Sequence, residues 1–299
     1  MRCPTPITIR NPNAKDEHDK NSTIQVPCGR CGACRHNRRT EWAFRLKVEH
    51  RYAQSAFFIT LTYDDSTLPT TKHGEVTLVK KHIQDYIKRT RKQNAQIWDH
   101  QLRYYAVGEY GTKTNRPHYH VILFNLHPKL VDQVLARWKK GHVHVGAVND
   151  SSIFYACKFH VTVRKDEYLE DERQPEFATM SRRPAIGWQY LYDSYELDGR
   201  KVIYKGDKNT SWHRDNFHTF VMNNGFRQKL PRYYKTKIWN NDEAKTITKI
   251  NQIATEKSNR KEIARIHSKG FADPDKEIFR RHLEVAKKVK HKSTDRDTF

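Results

Sequence analysis

Arg116-Pro117-His118-Tyr119-His120-Val121-Ile122-Leu123-Phe124 places two histidines around one bulky residue and follows them with an apolar run. Alternate residues of a strand point to the same face, so His118 and His120 project side by side from an extended segment. Two imidazoles so placed can share a divalent metal. Nine residues before His118 lies Glu109, in Val107-Gly108-Glu109-Tyr110-Gly111, at the end of another predicted strand. A hairpin through residues 110–117 would set Glu109 beside the pair, giving two nitrogens and one oxygen with open coordination positions. A sheet whose histidines simply face solvent has the same spacing, so the triplet alone decides little.

Outward from this stretch the order of elements is regular. Ala56–Tyr63 is rich in β-formers and ends at the turn signal Asp64-Asp65-Ser66. Leu78, Val79, His82, Ile83, Tyr86 and Ile87 recur at helical spacing and predict an amphipathic helix over 78–94. Leu102–Val107 and residues 118–124 read as paired strands. Leu130, Val131, Val134, Leu135 and Trp138 mark a second helix, His142–Gly146 a fourth strand, and Ser151-Ser152 a third helix with serine as its cap. The sum, β-α-β-β-α-β-α, is the ferredoxin-like order, an α+β fold. It predicts an antiparallel sheet with helices on one face and the other face open to a ligand. A basic helix over about 35–52 precedes this core. Four regions follow: a Cys-rich segment and basic helix at 1–52, the core at 53–163, a basic and aromatic extension at 164–240, and a charged helical tail at 241–299. In the tail Pro274 reads as a break and the final residues as mobile.

In the 299-residue chain, 56 Lys+Arg against 34 Asp+Glu give a formal charge of +22, with a pI near 9.8 and a mean hydropathy of -0.95. Such a charge concentrates polyanions and makes their binding salt-dependent. Aromatic residues, 11% of the chain, add surfaces for base stacking. No apolar run approaches transmembrane length, and the first residues do not read as a secretory signal. A soluble intracellular protein with no membrane partner is expected. Cys28-Gly29-Arg30-Cys31-Gly32-Ala33-Cys34 resembles a zinc knuckle that Cys3 would complete as a fourth ligand, with His36 as a substitute. Reduced, unliganded thiols fit as well. Further on, Met180-Ser181-Arg182-Arg183-Pro184 and Lys229-Leu230-Pro231-Arg232-Tyr233-Tyr234-Lys235 interleave cations with aromatics, as single-stranded nucleic acid requires. Arg116, Arg182, Arg183, Arg232 and Lys235 are the candidate DNA contacts; tyrosines packing a second small sheet are the alternative.

On the third helix Tyr155, Lys158 and Phe159 fall at i, i+3 and i+4, on one face. A protonated tyrosine, pKa about 10, is a weak nucleophile. A metal on the phosphate and a nearby lysine would neutralise the charge that develops as it attacks.

A histidine–hydrophobic–histidine strand, an upstream glutamate and a downstream tyrosine helix together resemble the HUH endonuclease superfamily. More closely, the chain resembles the replication initiation proteins of gokushoviruses, small single-stranded-DNA phages of the Microviridae. Seven segments carry the resemblance in order over roughly residues 1–239: Val26–Cys31, Phe58–Tyr63, Gly108–Gly111, Arg116–His120, Tyr155–Lys158, Met180–Gly187 and Pro231–Tyr234. It implies rolling-circle initiation in a host bacterial cytoplasm. Mg2+ or Mn2+ would be held by His118, His120 and Glu109, with Tyr155 and Lys158 as the catalytic residues. One strand of an origin would be nicked, the 5′ phosphate kept on Tyr155 and the 3′ hydroxyl left for a host polymerase, with a host helicase as a further partner. Rejoining the strand later closes the displaced genome. Oligomeric state is left open. Relatives of this kind commonly carry a second tyrosine where this chain has Phe159, which lacks a hydroxyl, so a single nucleophile is expected here.

His142-Val143-His144 alternates as well as the preferred pair but lacks the upstream glutamate and the Arg-Pro lead; it is read as structural. Two competing readings remain: a single-tyrosine transposase or relaxase, and a non-catalytic nucleic-acid-binding protein on the same sheet.

Overall fold

The computed structural model describes residues 3–11, 22–111, 113–160, 172–197, 200–204, 208–215, 218–223, 225–270 and a few positions beyond. The predicted break at Pro274, the mobile end and most of the charged 164–176 stretch lie outside the described residues. The chain divides into two units, Met1–Thr40 with Trp239–Phe299, and Glu41–Ile238.

In the first unit, β1 (Ile7–Arg10) and β2 (Thr23–Val26) form an antiparallel pair, and α1 (Gly32–Tyr52) begins. Its long helix, Asn241–His267, starts at a reciprocal cap. The Asn240 side chain accepts from the backbone N–H groups of Asp242 and Glu243, and Glu243 accepts from the Asn240 N–H.

The second unit is built on a five-stranded antiparallel sheet. Its strands are β3 (Ala56–Thr62), β4 (Arg103–Tyr110), β5 (Pro117–Phe124), β6 (Val143–Ala147) and β7 (Phe177–Met180). They lie in the order β6-β3-β5-β4-β7. The first four strands have the expected ferredoxin-like arrangement. The edge strand β7, invisible in the sequence pattern, pairs Tyr105 with Met180 and Gly108 with Phe177.

One face of the sheet carries α2 (Lys80–Ile97) and α3 (Val131–Ala136). Ile83, Tyr86 and Ile87 of α2 and Leu130, Val134 and Trp138 pack on Ile59, Leu61, Tyr119, Val121 and Leu123. Each fully buried apolar side chain of this size contributes about 1.5–3 kcal/mol. The Asn94 amide, buried at the end of α2, donates to the Asn125 carbonyl at 3.0 Å and accepts from the His127 N–H at 2.9 Å. It ties the helix to the exit of β5.

The opposite face was expected to be open and is largely covered. Ala43 and Leu46 of α1, Ile153, Ala156 and Cys157 around α4 (Asp150–Ala156), and Ile186 form a second core on Tyr105, Val107, Ile122 and Phe124. The reason lies in β5, where Ile122 and Phe124 continue the histidine parity as apolar residues and need a covering layer. Only the end of this face bearing His118 and His120 keeps polar side chains.

The cap of α4 is Asn149 rather than the expected serine. Its side chain accepts from the Ser152 N–H at 2.9 Å while the Ser152 hydroxyl accepts from the Asn149 N–H at 2.8 Å. Ser152 thus serves as the N3 partner of a capping box. The helix also ends sooner than expected: Cys157–His160 is a 3-10 turn.

Beyond the sheet, residues 188–238 form two strand pairs, β8 (Asp193–Leu197) with β9 (Arg200–Tyr204) and β10 (Phe220–Asn223) with β11 (Phe226–Lys229). The helices α5 (Lys208–Asp215) and α6 (Arg232–Ile238) flank β10 and β11 in sequence.

Candidate functional site

The ladder of β3, β4 and β5 sets the site. Glu109 lies opposite His118 and Val107 opposite His120, while across the other side of β5 Thr62 lies opposite His118 and Thr60 opposite His120. Residues directly opposite in an antiparallel pair share a face with Cβ atoms about 4.5–5.5 Å apart. Glu109, His118 and His120 therefore converge, and one ligand atom from each lies within 4.8 Å of the others. The tight turn at 111–116 closes this hairpin, with the Gly111 N–H donating to the Arg116 carbonyl at 3.0 Å.

Each imidazole is oriented through Nδ1. His118 Nδ1 is 3.2 Å from the Arg116 carbonyl and His120 Nδ1 is 3.0 Å from the Thr60 hydroxyl. In both rings this leaves Nε2 as the metal-facing atom, the arrangement in which an outer hydrogen bond fixes the tautomer of a ligand. His120 Nε2 is buried with no hydrogen-bond partner among the described residues. Burial first, and then the charges of His118 and Lys158, lowers the His120 pKa to about 3. A buried lone pair on a neutral ring, beside a second imidazole and a carboxylate, fits a divalent cation with two nitrogens and one oxygen.

Tyr155 comes from α4, in a different layer. Its ring meets that of His120 edge to face at 4.8 Å, and Phe58 stacks on His120 at 5.5 Å and 23°. His120 is thus held between an aromatic of β3 and the tyrosine. The Lys158 ammonium sits 5.8 Å from the centre of the Tyr155 ring, so the 3-10 turn still brings the two together. Lys47 of α1 fastens α4, bonding Asp150 at 2.7 Å. Phe159's side chain lies outside the described residues.

His144 shares the parity of His120 but sits beyond Thr60, on the edge strand. Two strand spacings, about 10 Å, separate it from His120. His142 is exposed and pairs with Asp64 at 3.3 Å. Neither belongs to a cluster of three or more metal-ligating groups among the described residues.

The candidate DNA contacts are dispersed. Arg116 donates to Asp65 and to the Tyr63 carbonyl, both at 2.6 Å, and so braces the turn after β3. Arg182, Arg183 and Arg232 are exposed, while Lys235 is half-buried with its pKa lowered by burial. Of the two tyrosines in that motif, Tyr234 is fully buried and its hydroxyl donates to the Gly187 carbonyl at 2.7 Å, which is the packing alternative. Tyr233 lies under the Arg45 guanidinium at 4.6 Å.

Sequence reading missed a buried network beneath this region. Glu49 of α1 pairs with Arg103 of β4, and both are almost fully buried. Glu49 also accepts from the Gly187 N–H at 2.7 Å, and Arg103 donates to the Pro184 carbonyl at 3.0 Å. Arg45 donates to the Ile186 carbonyl at 2.9 Å. The segment after β7 is thereby fixed to α1 and the sheet. Phe58 and Thr60 were missed too, although polar Thr60 and Thr62 interrupting an apolar strand at the histidine parity were a readable signal.

In the first unit, the Sγ atoms of Cys3, Cys28, Cys31 and Cys34 lie within 4.8 Å of one another. The long gap from Cys3 is closed by the β1–β2 register: Ile7 pairs with Val26, so the residues just before and just after the two strands meet. Cys3 and Cys31 are 3.7 Å apart, close to the edge of about 3.8 Å expected for a tetrahedron with Zn–S bonds of about 2.3 Å. The N–H groups of Cys28, Cys31 and Cys34 donate to the sulfurs of Cys3, Cys28 and Cys31 at 3.3, 3.3 and 3.4 Å. At Cys28 burial acts upward but is outweighed by hydrogen bonds from the Arg30 backbone and the Thr5 hydroxyl, leaving its pKa at about 6. Four sulfurs, one already inclined to thiolate, fit a thiophilic cation.

Residues 56–164 match the family model of the phage replication-associated protein ORF2. The chain is 30% identical over 215 residues to the replication-associated protein ORF2 of Spiroplasma virus 4, covering 65% of this chain and 64% of that protein. It is 26% identical over 240 residues to the replication-associated protein ORF4 of Chlamydia phage 1, covering 72% of this chain and 54% of that protein. It is also 26% identical over 267 residues to the replication-associated protein VP4 of Bdellovibrio phage phiMH2K, covering 81% and 78%. The first two matches span less than two thirds of those relatives' own length. No solved structure matches the chain. Among the described residues no helix is long and apolar enough to cross a membrane. The matched segment begins with β3 and runs past the tyrosine helix, and with it the chain takes its place among the relatives of the phage replication-associated proteins.

Proposed function

We propose that the chain is a rolling-circle replication initiator that nicks single-stranded DNA at a phage origin and later rejoins the strand. The observation that carries this reading is the edge-to-face contact of Tyr155 with His120, which sets a phenol against the cluster of Glu109, His118 and His120.

Glu109, His118 and His120 would hold a divalent cation that, when bound, neutralises charge on the scissile phosphate. Two imidazoles with one carboxylate favour Mn2+ over Mg2+, which prefers an all-oxygen shell. Thr60 and the Arg116 carbonyl keep both rings turned toward that position. The Tyr155 oxygen attacks phosphorus, a phosphotyrosine ester forms, the bond to the 3′ oxygen breaks, and that oxygen leaves as a hydroxyl after taking a proton. Lys158 offsets negative charge as the phenol loses its proton. Reversal of the same step, with the 3′ hydroxyl attacking the ester, rejoins a strand. Because Phe159 has no hydroxyl, one tyrosine on this helix serves each cleavage. The four cysteines would hold a structural Zn2+ in the other unit. The 3′ hydroxyl is left for a host polymerase behind a host helicase, in a bacterial cytoplasm.

The test is to incubate the full chain with a labelled random-sequence single-stranded DNA library and Mn2+, then run a denaturing gel and map the adduct by mass spectrometry. The expected result is a covalent species on Tyr155 that chelator abolishes. An adduct on another tyrosine, or intact DNA with no covalent shift, overturns the reading.

A further inference from the structure

On the side of the sheet that carries α2, a groove of about 530 Å³ runs between that helix and the segment following β7. Lys80 and Arg91 line it from α2, and Arg182 and Arg183 from the other wall. All four are exposed, and none is in an ion pair among the described residues. No carboxylate is among the lining residues.

We infer that this groove is a binding track for the phosphodiester backbone of single-stranded DNA, separate from the Glu109–His118–His120 cluster. The inference rests on the proposed function for its ligand and adds where the strand runs. Lys80, Gln84 and Arg91 fall at i, i+4 and i+11, along one stripe of α2 distinct from its buried stripe. At 1.5 Å per residue the two cations are about 16 Å apart, the length of about five phosphates at 3.4 Å per step.

The opposing wall is rigid, which distinguishes it from an ordinary basic surface. The Ser181 N–H donates to the Tyr104 carbonyl at 3.0 Å and the Tyr104 N–H to the Ser181 hydroxyl at 3.1 Å. Beyond the two arginines, Pro184, Ile186 and Gly187 are held by Arg103, Arg45 and Glu49. A buried ion pair therefore anchors the segment whose exposed side chains are the cations. Tyr104 floors the groove beneath the Arg91 guanidinium, 5.8 Å from its ring centre, and supplies a half-buried aromatic surface.

Tyr104 and Glu109 are five residues apart on β4, about 17 Å, with side chains on opposite faces. A strand bound in the groove reaches the metal-ligating cluster by passing the β7 edge of the sheet. The groove thus grips DNA flanking the cleaved phosphate rather than that phosphate itself.

The experiment measures fluorescence anisotropy of labelled oligothymidylate with the full chain, in chelator, across a series of NaCl concentrations. Neutralising all four positions (Lys80→Gln, Arg91→Gln, Arg182→Gln, Arg183→Gln) is expected to make the log–log salt slope shallower by about 2 to 3, at about 0.7 per lost contact. The charge-retaining variant (Lys80→Arg, Arg91→Lys, Arg182→Lys, Arg183→Lys) keeps the wild-type slope. If the fourfold neutral variant fails to fold, Arg91→Gln and Arg182→Gln measured singly should each lower the slope by about 0.7. An unchanged slope, or an equal loss on neutralising Lys245, Lys257, Lys261 and Lys269 instead, overturns the groove. Because no cleavage occurs in chelator, a failed nicking assay leaves this measurement standing, and an unchanged slope alongside a Tyr155 adduct removes the groove alone.

Discussion

The ring of Tyr155 stands perpendicular to that of His120, at 88° and 4.8 Å between centres, although the two residues come from a helix and a strand in different layers. A tyrosine serving only as packing would gain nothing from Lys158 above its ring. Tyr155→Phe should therefore abolish covalent adduct formation, by at least about a thousandfold, while oligonucleotide affinity changes less than about twofold. Lys158→Met should slow adduct formation by about ten- to a hundredfold and leave the adduct on Tyr155. Single-turnover gels with matched binding curves measure both.

Metal affinity separates the two histidine pairs. His118→Ala or His120→Ala should weaken Mn2+ binding by about a hundredfold, whereas His142→Ala and His144→Ala together should leave it within about threefold, read by calorimetry on the full chain. Thr60→Val removes the hydrogen bond to His120 Nδ1 and should weaken affinity by about tenfold. An equal loss from the His142/His144 pair would move the centre to the edge strand.

Zinc is testable without activity. The purified chain should contain about one zinc per molecule by elemental analysis, and Cys31→Ser should reduce that content to near zero. Zinc retained in full by this variant would return the cluster to simple thiols.

Stability should depend on acid through a group far from any metal ligand. His213 is fully buried, with Nδ1 2.5 Å from the His218 carbonyl and Nε2 2.8 Å from the Tyr190 hydroxyl. Burial lowers its pKa, against a smaller upward push from the His218 hydrogen bond. Below about pH 6.5 the unfolded chain then binds more protons than the folded one, so the contribution is full above that pH and is lost as pH falls toward the lower folded value. Melting temperature should fall from pH 7 to pH 5, and less steeply in His213→Gln.

The network under the segment after β7 should dominate mutational sensitivity. Glu49→Ala leaves Arg103 buried without its carboxylate and should cost about 3–5 kcal/mol in urea unfolding. Gly187 has φ +74°, and a Cβ there would lie 2.6 Å from the Arg45 carbonyl oxygen and 2.7 Å from the Tyr234 hydroxyl. Gly187→Ala should cost more than about 2 kcal/mol. A midpoint unchanged in either variant would mean the segment is held by something else.

The sheet, its register and the His118/His120 pair were legible because a period of two survives in a single sequence wherever one face is buried and the other polar. The covering layer on the histidine face was legible only in part: Ile122 and Phe124 announce the need for it, but nothing local says that α1 supplies it. The 3-10 turn at Cys157 was hidden because its residues also suit a continuing helix. β7, only four residues long, offers too few alternations to stand out. Glu49 and Arg103 are 54 positions apart, and a charged residue in an amphipathic helix reads as solvent-facing until its partner is known. Cys3 was assigned to the cysteine cluster from composition; the strand pair that delivers it has no strong pattern of its own.

Glu109, His118 and His120 belong to the two arms of one hairpin closed at 111–116. Such a hairpin zips in about 1–10 μs, ahead of contacts that join distant parts of a chain. During refolding, an ion would therefore encounter its cradle finished while the helix bearing Tyr155 is still being delivered, and the metal-loaded hairpin would become a template on which that helix docks.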